Sequence, residues 1–296
     1  MGSNLLRKIN NNSVEITVID NLKSGFEDNI KGQDIKFIKD DILLFDLSTL
    51  ERQDEIYHLA CPASPSHYQD DPINTLDVCY KGTQKILEYA YEYGSKVVVS
   101  STSEVYGDPL ESPQCENYNG NVSTLSVRAC YDEGKRVAET LCFEYHRKGV
   151  DVRIARLFNT YGPHMAENDG RVISNFICQA LKDNPLTIYG SGEQTRSFCY
   201  VDDTIRGLEE LMILESSDFV FVNIGNNNEV TVNFVAEIIS ELTERDCNFK
   251  DYPLPDGDPK VRKPDLSKAK KVIGWEPKIS FYKGLKLTID YFKKNT

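Results

Sequence analysis

Long apolar runs are missing from this 296-residue chain: nothing in it approaches the ~20 consecutive residues a membrane helix needs, and its N-terminus lacks a signal peptide's hydrophobic region. The chain is therefore expected to stay in the cytoplasm, off membranes. Positive charge is also short, with 34 Lys and Arg against 46 Asp and Glu and a formal net charge of −12. No basic run compensates, which excludes generic nucleic-acid binding because a polyanion would be repelled. A small anionic substrate stays open if arginines cluster locally. Histidines number only four, and the eight cysteines, at 61, 79, 115, 130, 142, 178, 199 and 247, never form Cys-x-x-Cys. No metal-ligand set is completed, and the thiols are expected to be reduced and mostly buried. Internal repeats and low-complexity tracts are absent.

What is present is an alternation of short β-branched runs with helical spacings. Residues 14–19, 35–38, 55–60, 96–100 and 152–156 read as strands, and 1–9, 74–93 and 131–146 as helices. A loop rich in proline and serine covers 61–71. Beyond residue 160 the segments shorten. Helices are expected over 172–182, 203–214, 232–244, 265–274 and 282–294, with strands at 186–192, 194–201 and 221–224. The length suggests about two lobes.

Two stretches carry chemistry. In Tyr131-Asp132-Glu133-Gly134-Lys135 the phenol and the ammonium stand at i and i+4, on one helix face. An unperturbed phenol titrates near ~10 and a fixed cation lowers that, so Tyr131 is expected to act as a base near neutral pH. Ser100-Ser101-Thr102-Ser103-Glu104 follows the strand pattern Lys96-Val97-Val98-Val99, so its hydroxyls should emerge at a strand's carboxyl end, where open α/β sheets bind ligands. Tyr-x-x-x-Lys alone also occurs on solvated helices; its conjunction with strand-end hydroxyls points to redox chemistry at a sugar hydroxyl. A third signal is Asp20, at the end of the strand at 14–19, where a carboxylate accepts hydrogen bonds from adenosine ribose hydroxyls and repels the extra phosphate of NADP. The alternative is that Asp20-Asn21 merely opens a turn.

These stretches, with His58-Leu59-Ala60-Cys61-Pro62-Ala63-Ser64-Pro65, Arg128-Ala129-Cys130-Tyr131, Arg156-Leu157-Phe158-Asn159-Thr160-Tyr161-Gly162-Pro163 and Arg262-Lys263-Pro264-Asp265, resemble the extended short-chain dehydrogenase/reductase family, and within it the UDP-glucuronate decarboxylase branch. The resemblance covers nearly the whole chain. It implies an α/β fold, a Rossmann-like doubly wound parallel sheet with a smaller C-terminal substrate-binding lobe. Residues 1–160 would be the NAD-binding domain. Residues 161–296 would be mainly the nucleotide-sugar lobe, with some segments returning to the sheet. Two departures stand out. The chain opens in a helix, without the family's first strand and most of its glycine-rich turn, so that only Gly2 matches the last glycine of that motif; and Cys79 stands where the family usually has asparagine.

The resemblance further implies that NAD is bound by Gly2, Asp20, Asn21, Ser24, Gly25, Asp41, Ile42, Leu59 and Ala60 together with Tyr131 and Lys135. Thr102 and Ser103 would hydrogen-bond the reacting oxygen, and Glu104 and Arg262 would stand near the leaving carboxylate. Asn159, Arg171, Asn175 and Arg196 match positions around the nucleotide diphosphate and ribose, Thr187 and Tyr189 the base pocket, and Gln194 lies in the same motif as Arg196. Arg262 would also contact the substrate, and His67 has no chemical role. The implied reaction is NAD-dependent decarboxylation of UDP-glucuronate to UDP-xylose in a homodimer. Alternatives stay open: a 4,6-dehydratase or 4-epimerase of the same family, or a non-catalytic binding protein. Glu104 could equally serve a strand-end salt bridge, and Arg262 a surface basic cluster.

Overall fold

Val97, Val98 and Val99 are all buried, so both faces of their strand are covered, as in the middle of a parallel sheet. The computed structural model describes residues 1–10, 13–167, 169–253 and 261–295. The first half runs α1 (Gly2–Ile9), β1 (Thr17–Ile19), β2 (Lys36–Ile38), β3 (Glu55–His58), α2 (Pro65–Asp70), α3 (Pro72–Asp77), a π-helical turn (Val78–Gly82), α4 (Thr83–Tyr93), β4 (Lys96–Thr102), α5 (Ala129–Arg147) and β5 (Val152–Leu157). Then follow β6 (Thr160–Tyr161), α6 (Val172–Leu181), β7 (Leu186–Tyr189), β8 (Thr195–Ser197), β9 (Cys199–Tyr200), α7 (Val201–Ile213), β10 (Val220–Ile224), β11 (Glu229–Thr231), α8 (Val232–Thr243), β12 (Phe249–Tyr252), α9 (Ser267–Ile273) and α10 (Phe281–Asn295).

The central sheet is parallel, in the order β10-β5-β4-β3. Strands β1 and β2 form a separate parallel pair. Late in the chain β10 returns to lie beside β5, pairing Ile224 with Leu157. One apolar cluster runs from Val98 and Ala155 through Ile173, Phe176 and Ile224 to Trp275 and Leu285. Trp275 is fully buried, its indole N–H donating to the Asp203 carbonyl at 2.9 Å. No helix among the described residues is long and apolar enough to cross a membrane.

Several sequence expectations need correction. Residues 65–70 are helical rather than loop, because Ser64 in extended conformation followed by Pro65 sets up a first turn. The helix expected over 74–93 begins at Pro72, capped by Asp71 accepting from the Asn74 N–H at 3.1 Å, and is interrupted by the π-helical turn that holds Cys79. The segment 194–201 divides at Phe198: β8 pairs antiparallel with β11, while β9 pairs with β6. Short strands of this kind, β12 beside β7 among them, carry too few residues for a period-2 pattern to register.

Strand β4 ends in a tight 3-10 turn, Ser103–Tyr106, closed by Gly107 at φ 64° and ψ −139°. Only glycine adopts that conformation readily, and a Cβ there would run into the Asn121 carbonyl oxygen. The turn presents Ser103 and Glu104, so the glycine positions the site. Gly107→Ala should destabilise the fold by about 3 kcal/mol, read as a lowered urea midpoint; an unchanged midpoint would show that the turn is not so constrained.

Candidate active site

Helix α5 presents Tyr131 and Lys135 on its buried face, both about 6% exposed. Lys135 Nζ donates to the Ser100 carbonyl at 2.7 Å and lies 6.0 Å from the Tyr131 ring centroid. On its other side Tyr131 is stacked on Tyr68, centroids 5.0 Å apart and rings within 4° of parallel. Burial pushes the Tyr131 phenol up to about 12, although the Lys135 charge and a hydrogen bond with Thr102 both pull it down. Burial thus opposes the base expected at Tyr131, an effect that spacing, which reveals only the lysine, does not report.

Beyond Thr102, whose hydroxyl accepts from the Glu104 N–H at 3.2 Å, Glu104 lies between two arginines. Arg128 Nη2 approaches its Oε2 at 2.6 Å and Arg262 Nη2 at 3.0 Å, while Arg262 Nη1 donates to the Ser103 carbonyl. Burial raises the Glu104 carboxyl, but Arg262, Arg128 and the more distant Arg196 outweigh it and hold the group below its ordinary range. The salt-bridge alternative for Glu104 is therefore realised, and Arg262 is buried rather than part of a surface cluster.

Three participants escaped sequence reasoning: Tyr68, Arg128 and Asp132. Asp132 is buried beside this group, and burial together with the Glu104 charge raises its carboxyl to about 7. The Tyr68 hydroxyl, Arg128 Nε and Asp132 Oδ1 are buried without a hydrogen-bond partner among the described residues. A signal was available, since Arg128 and Asp132 are i and i+4 and flank Tyr131 on the same turn.

The expected cofactor residues form a neighbouring group. Asp20, at the exposed end of β1, accepts from the Leu22 N–H at 2.7 Å, and Gly25 leaves only a Cβ's width beside its other oxygen. Asn21 donates to Asp41 at 2.8 Å, and Ile42 packs on the core next to Gly82. Ser24 is exposed in the same loop; Ala60 is exposed at the end of β3, and Leu59 faces Gly2. An open carboxylate at a strand end, with a glycine beside it, fits the diol of an adenosine ribose. Among the described residues no group of His, Cys, Asp and Glu could hold a metal ion.

Among the residues expected to bind substrate, Arg171 donates to the Ala63 carbonyl at 3.1 Å and pairs with Asp169, tying the C-terminal half to the segment after β3. The Asn175 N–H donates to the Arg171 carbonyl, and the Asn159 carbonyl accepts from Cys199 at 2.8 Å. Thr187, Tyr189 and Gln194 form a separate group: Gln179 bonds Thr187 at 3.0 Å, Gln194 donates to the Tyr189 carbonyl at 2.6 Å, and the Tyr189 ring lies 5.6 Å from that of Tyr252. His67 bonds Ser64 Oγ at 2.9 Å, a polar contact within α2.

A parallel Rossmann-like sheet with a buried Tyr-Lys pair beside the carboxyl end of a central strand is the architecture of a dinucleotide-binding α/β protein. The sequence profile of the NAD dependent epimerase/dehydratase family matches residues 1–225, and the chain belongs to that family. It is 48% identical to UDP-glucuronic acid decarboxylase 6 of Arabidopsis thaliana, over 99% of this chain and 86% of that one. UDP-glucuronic acid decarboxylase 1 of Xenopus tropicalis is 45% identical over 99% and 70% of the two chains. Among solved structures, UDP-glucose 4-epimerase of Thermotoga maritima with UDP-glucose superposes with a TM-score of 0.92 at 30% identity, covering 99% and 96% of the chains. UDP-glucuronic acid 4-epimerase of Bacillus cereus, in complex with UDP-glucuronic acid and NAD, gives 0.88 at 28% identity, covering 100% and 96%.

The raised Asp132 carboxyl has a consequence for stability. Because its folded-state value lies above the unfolded one, the unfolded chain releases this proton first, and stability is lost as pH rises from about 4 to about 7. Asp132→Asn should therefore match the parent near pH 4 and exceed it by on the order of 2 kcal/mol at pH 8 in urea unfolding. A difference independent of pH would show that Asp132 is ionised in the folded protein.

Proposed function

We propose that this protein converts UDP-glucuronate into UDP-xylose and carbon dioxide. The observation that carries the reading is the Glu104 carboxylate gripped by two arginines directly after the Thr102-Ser103 hydroxyls. The 44–48% identity to decarboxylases supports it. NAD, when bound along Asp20, Asn21, Ser24, Gly25, Asp41, Ile42, Leu59 and Ala60, supplies a hydride acceptor at the start of the cycle and a donor at its end.

Tyr131 takes the proton of the sugar's 4-hydroxyl, with Lys135 and Thr102 stabilising the phenolate that burial disfavours. The oxidised product is a β-keto acid, so its carboxylate leaves as carbon dioxide with the bonding electrons delocalised as an enolate onto the C4 oxygen. Thr102 and Ser103 hydrogen-bond that oxygen. Arg262 is the cation nearest to hand for the sugar carboxylate, but here both its terminal nitrogens are engaged, by Ser103 and Glu104. A substrate carboxylate drawing on Arg262 weakens its hold on Glu104 and raises the proton affinity of Glu104. Glu104 then takes up a proton from solvent and becomes a donor suited to protonate C5. Arg171 and Arg196, with Asn159 and Asn175, would hold the diphosphate and ribose, and Thr187, Tyr189 and Gln194 the base.

The solved epimerases keep one second reading alive, C4 inversion without loss of carbon. Incubation with UDP-glucuronate and NAD separates the two: UDP-xylose with stoichiometric carbon dioxide is expected, whereas UDP-galacturonate would establish the epimerase. Glu104→Gln should retain NAD binding and lose carbon dioxide release by at least ~100-fold. Undiminished turnover in that variant would remove Glu104 from the chemistry.

We further propose a cytoplasmic homodimer. Eight free cysteines suit a reducing compartment. Ile73, Leu76 and Tyr80 around α3 and its π-helical turn, with Val137 and Phe143 on the adjoining α5, leave apolar surface exposed on the paired helices, which a second copy would cover. Sedimentation should report about twice the 33.6 kDa chain mass. Tyr80→Arg should shift the species toward monomer; a wild-type monomer at micromolar concentration would refute the dimer.

A further inference from the structure

The mechanism leaves two thiols unused at its edge. Cys61 follows Ala60 on the segment between β3 and α2, and Cys79 sits in the π-helical turn; their sulfurs are 3.3 Å apart. Cys79 is buried at 2% exposure, whereas Cys61 is partly open. On its far side Cys79 packs against the bare backbone of Gly134: a Cβ added there would lie 3.0 Å from Cys79 Cβ and 3.1 Å from its sulfur. Gly134 immediately precedes Lys135, so the thiol pair links the chain at the end of β3 to the helix that carries the catalytic pair.

We propose that Cys61 and Cys79 are a reversible oxidation site for hydroperoxides, in which a disulfide between them disables the adjoining site. The partly open Cys61 thiolate attacks the O–O bond, forming a sulfenic acid and releasing water or an alcohol. The Cys79 sulfur then attacks the Cys61 sulfur, the S–S bond forms, and the sulfenic hydroxyl leaves as water with the Cys79 proton. Two thiols are oxidised and one peroxide is reduced to water and an alcohol, or to two waters. Only the first sulfur must meet the oxidant, which suits one open and one buried partner.

The geometry favours closure. A disulfide needs ~2.05 Å between sulfurs, so the pair must approach by about 1.2 Å. Cys61 lies outside regular structure, and the π-helical turn around Cys79 has a looser hydrogen-bond pattern than an α-helix. The hydrogen bond between the two sulfurs lowers the Cys61 thiol to about 7, burial opposes this, and the Lys135 charge adds to the lowering. The same contact and burial raise Cys79, which gives up its proton only as the sulfenic hydroxyl leaves. Cys130 is a third thiol nearby, but its sulfur points to the Tyr68 carbonyl at 3.5 Å.

Closure draws Cys61 toward the π-helical turn and shifts Ala60, placed above against the cofactor, so turnover should fall at least tenfold. That consequence rests on the proposed decarboxylase reading; disulfide formation does not. The test treats the reduced full-length protein with one equivalent of hydrogen peroxide and maps cross-links by mass spectrometry without reduction. Expected are a Cys61–Cys79 linked peptide, a fall of two in the free-thiol count, and recovery of thiols and turnover with dithiothreitol. Cys79→Ser should keep the parent's turnover and resist inactivation. Should Cys79→Ser fold poorly, Cys61→Ser supplies the same peptide-level control. Thiols left intact, a Cys61–Cys130 link, or sulfinic acid at Cys61 would overturn the site; a Cys61–Cys79 link with turnover unchanged would overturn its disabling role. A reduced protein inactive on UDP-glucuronate that still forms the link would sink the decarboxylase reading alone.

Discussion

The hydrogen bond from Lys135 to the Ser100 carbonyl fixes helix α5 against the end of β4. It ties a buried ammonium to the carboxyl-terminal half of a central strand. Burial works against that charge, yet its surroundings, the Cys61 thiol first among them, hold the Lys135 ammonium above its ordinary value. The lysine therefore stays charged, and the Tyr131 ring, carried four residues earlier on the same face, is brought beside Thr102 by the same contact. Ser101, donating to Glu139 on the same helix at 2.5 Å, is a second tie between α5 and β4.

The two carboxyls next to this anchor show how environment divides roles among identical groups. Glu104, in the tight turn after β4, is held ionised by Arg262 and Arg128. Asp132, one turn of helix away from Arg128, lacks a partner for one oxygen and is pushed to about 7 by burial and by Glu104 itself. The ionised state of one raises the proton affinity of the other. Such divergence is a frequent mark of acid-base sites.

Much of this was legible in the sequence because it is local. Tyr131 and Lys135 are linked by helical spacing, and the hydroxyl run by its place after Val97-Val98-Val99; both survive in the structure. Arg262 is different: 158 residues separate it from Glu104, and only family resemblance brought it forward. The burial of the Tyr131 phenol was not legible, because spacing reports a neighbouring charge while burial belongs to the whole fold. Likewise the π-helical turn at Cys79 is invisible to a 3.6-residue period, which continues on either side of it. The pairs β6–β9 and β11–β8 join segments tens of residues apart, each too short to declare itself.

The charge balance of the chain works against an anionic ligand unless it is reversed locally. A net charge of −12 repels anions in general, so a substrate bearing a diphosphate and a carboxylate needs a local reversal. Around Glu104 the reversal is present: Arg128 and Arg262 touch it and the Arg196 field reaches it, leaving an excess of positive charge about one carboxylate. Glu104 keeps those guanidinium groups oriented and partly neutralised in the absence of a ligand, avoiding the cost of burying like charges unpaired. Under the proposed reaction an incoming carboxylate would enter by exchange rather than by filling a bare cationic pocket, and in exchange it would alter the protonation of the group it displaces. Binding the substrate's acid group and preparing the proton that replaces it would then be two consequences of a single rearrangement at Arg262.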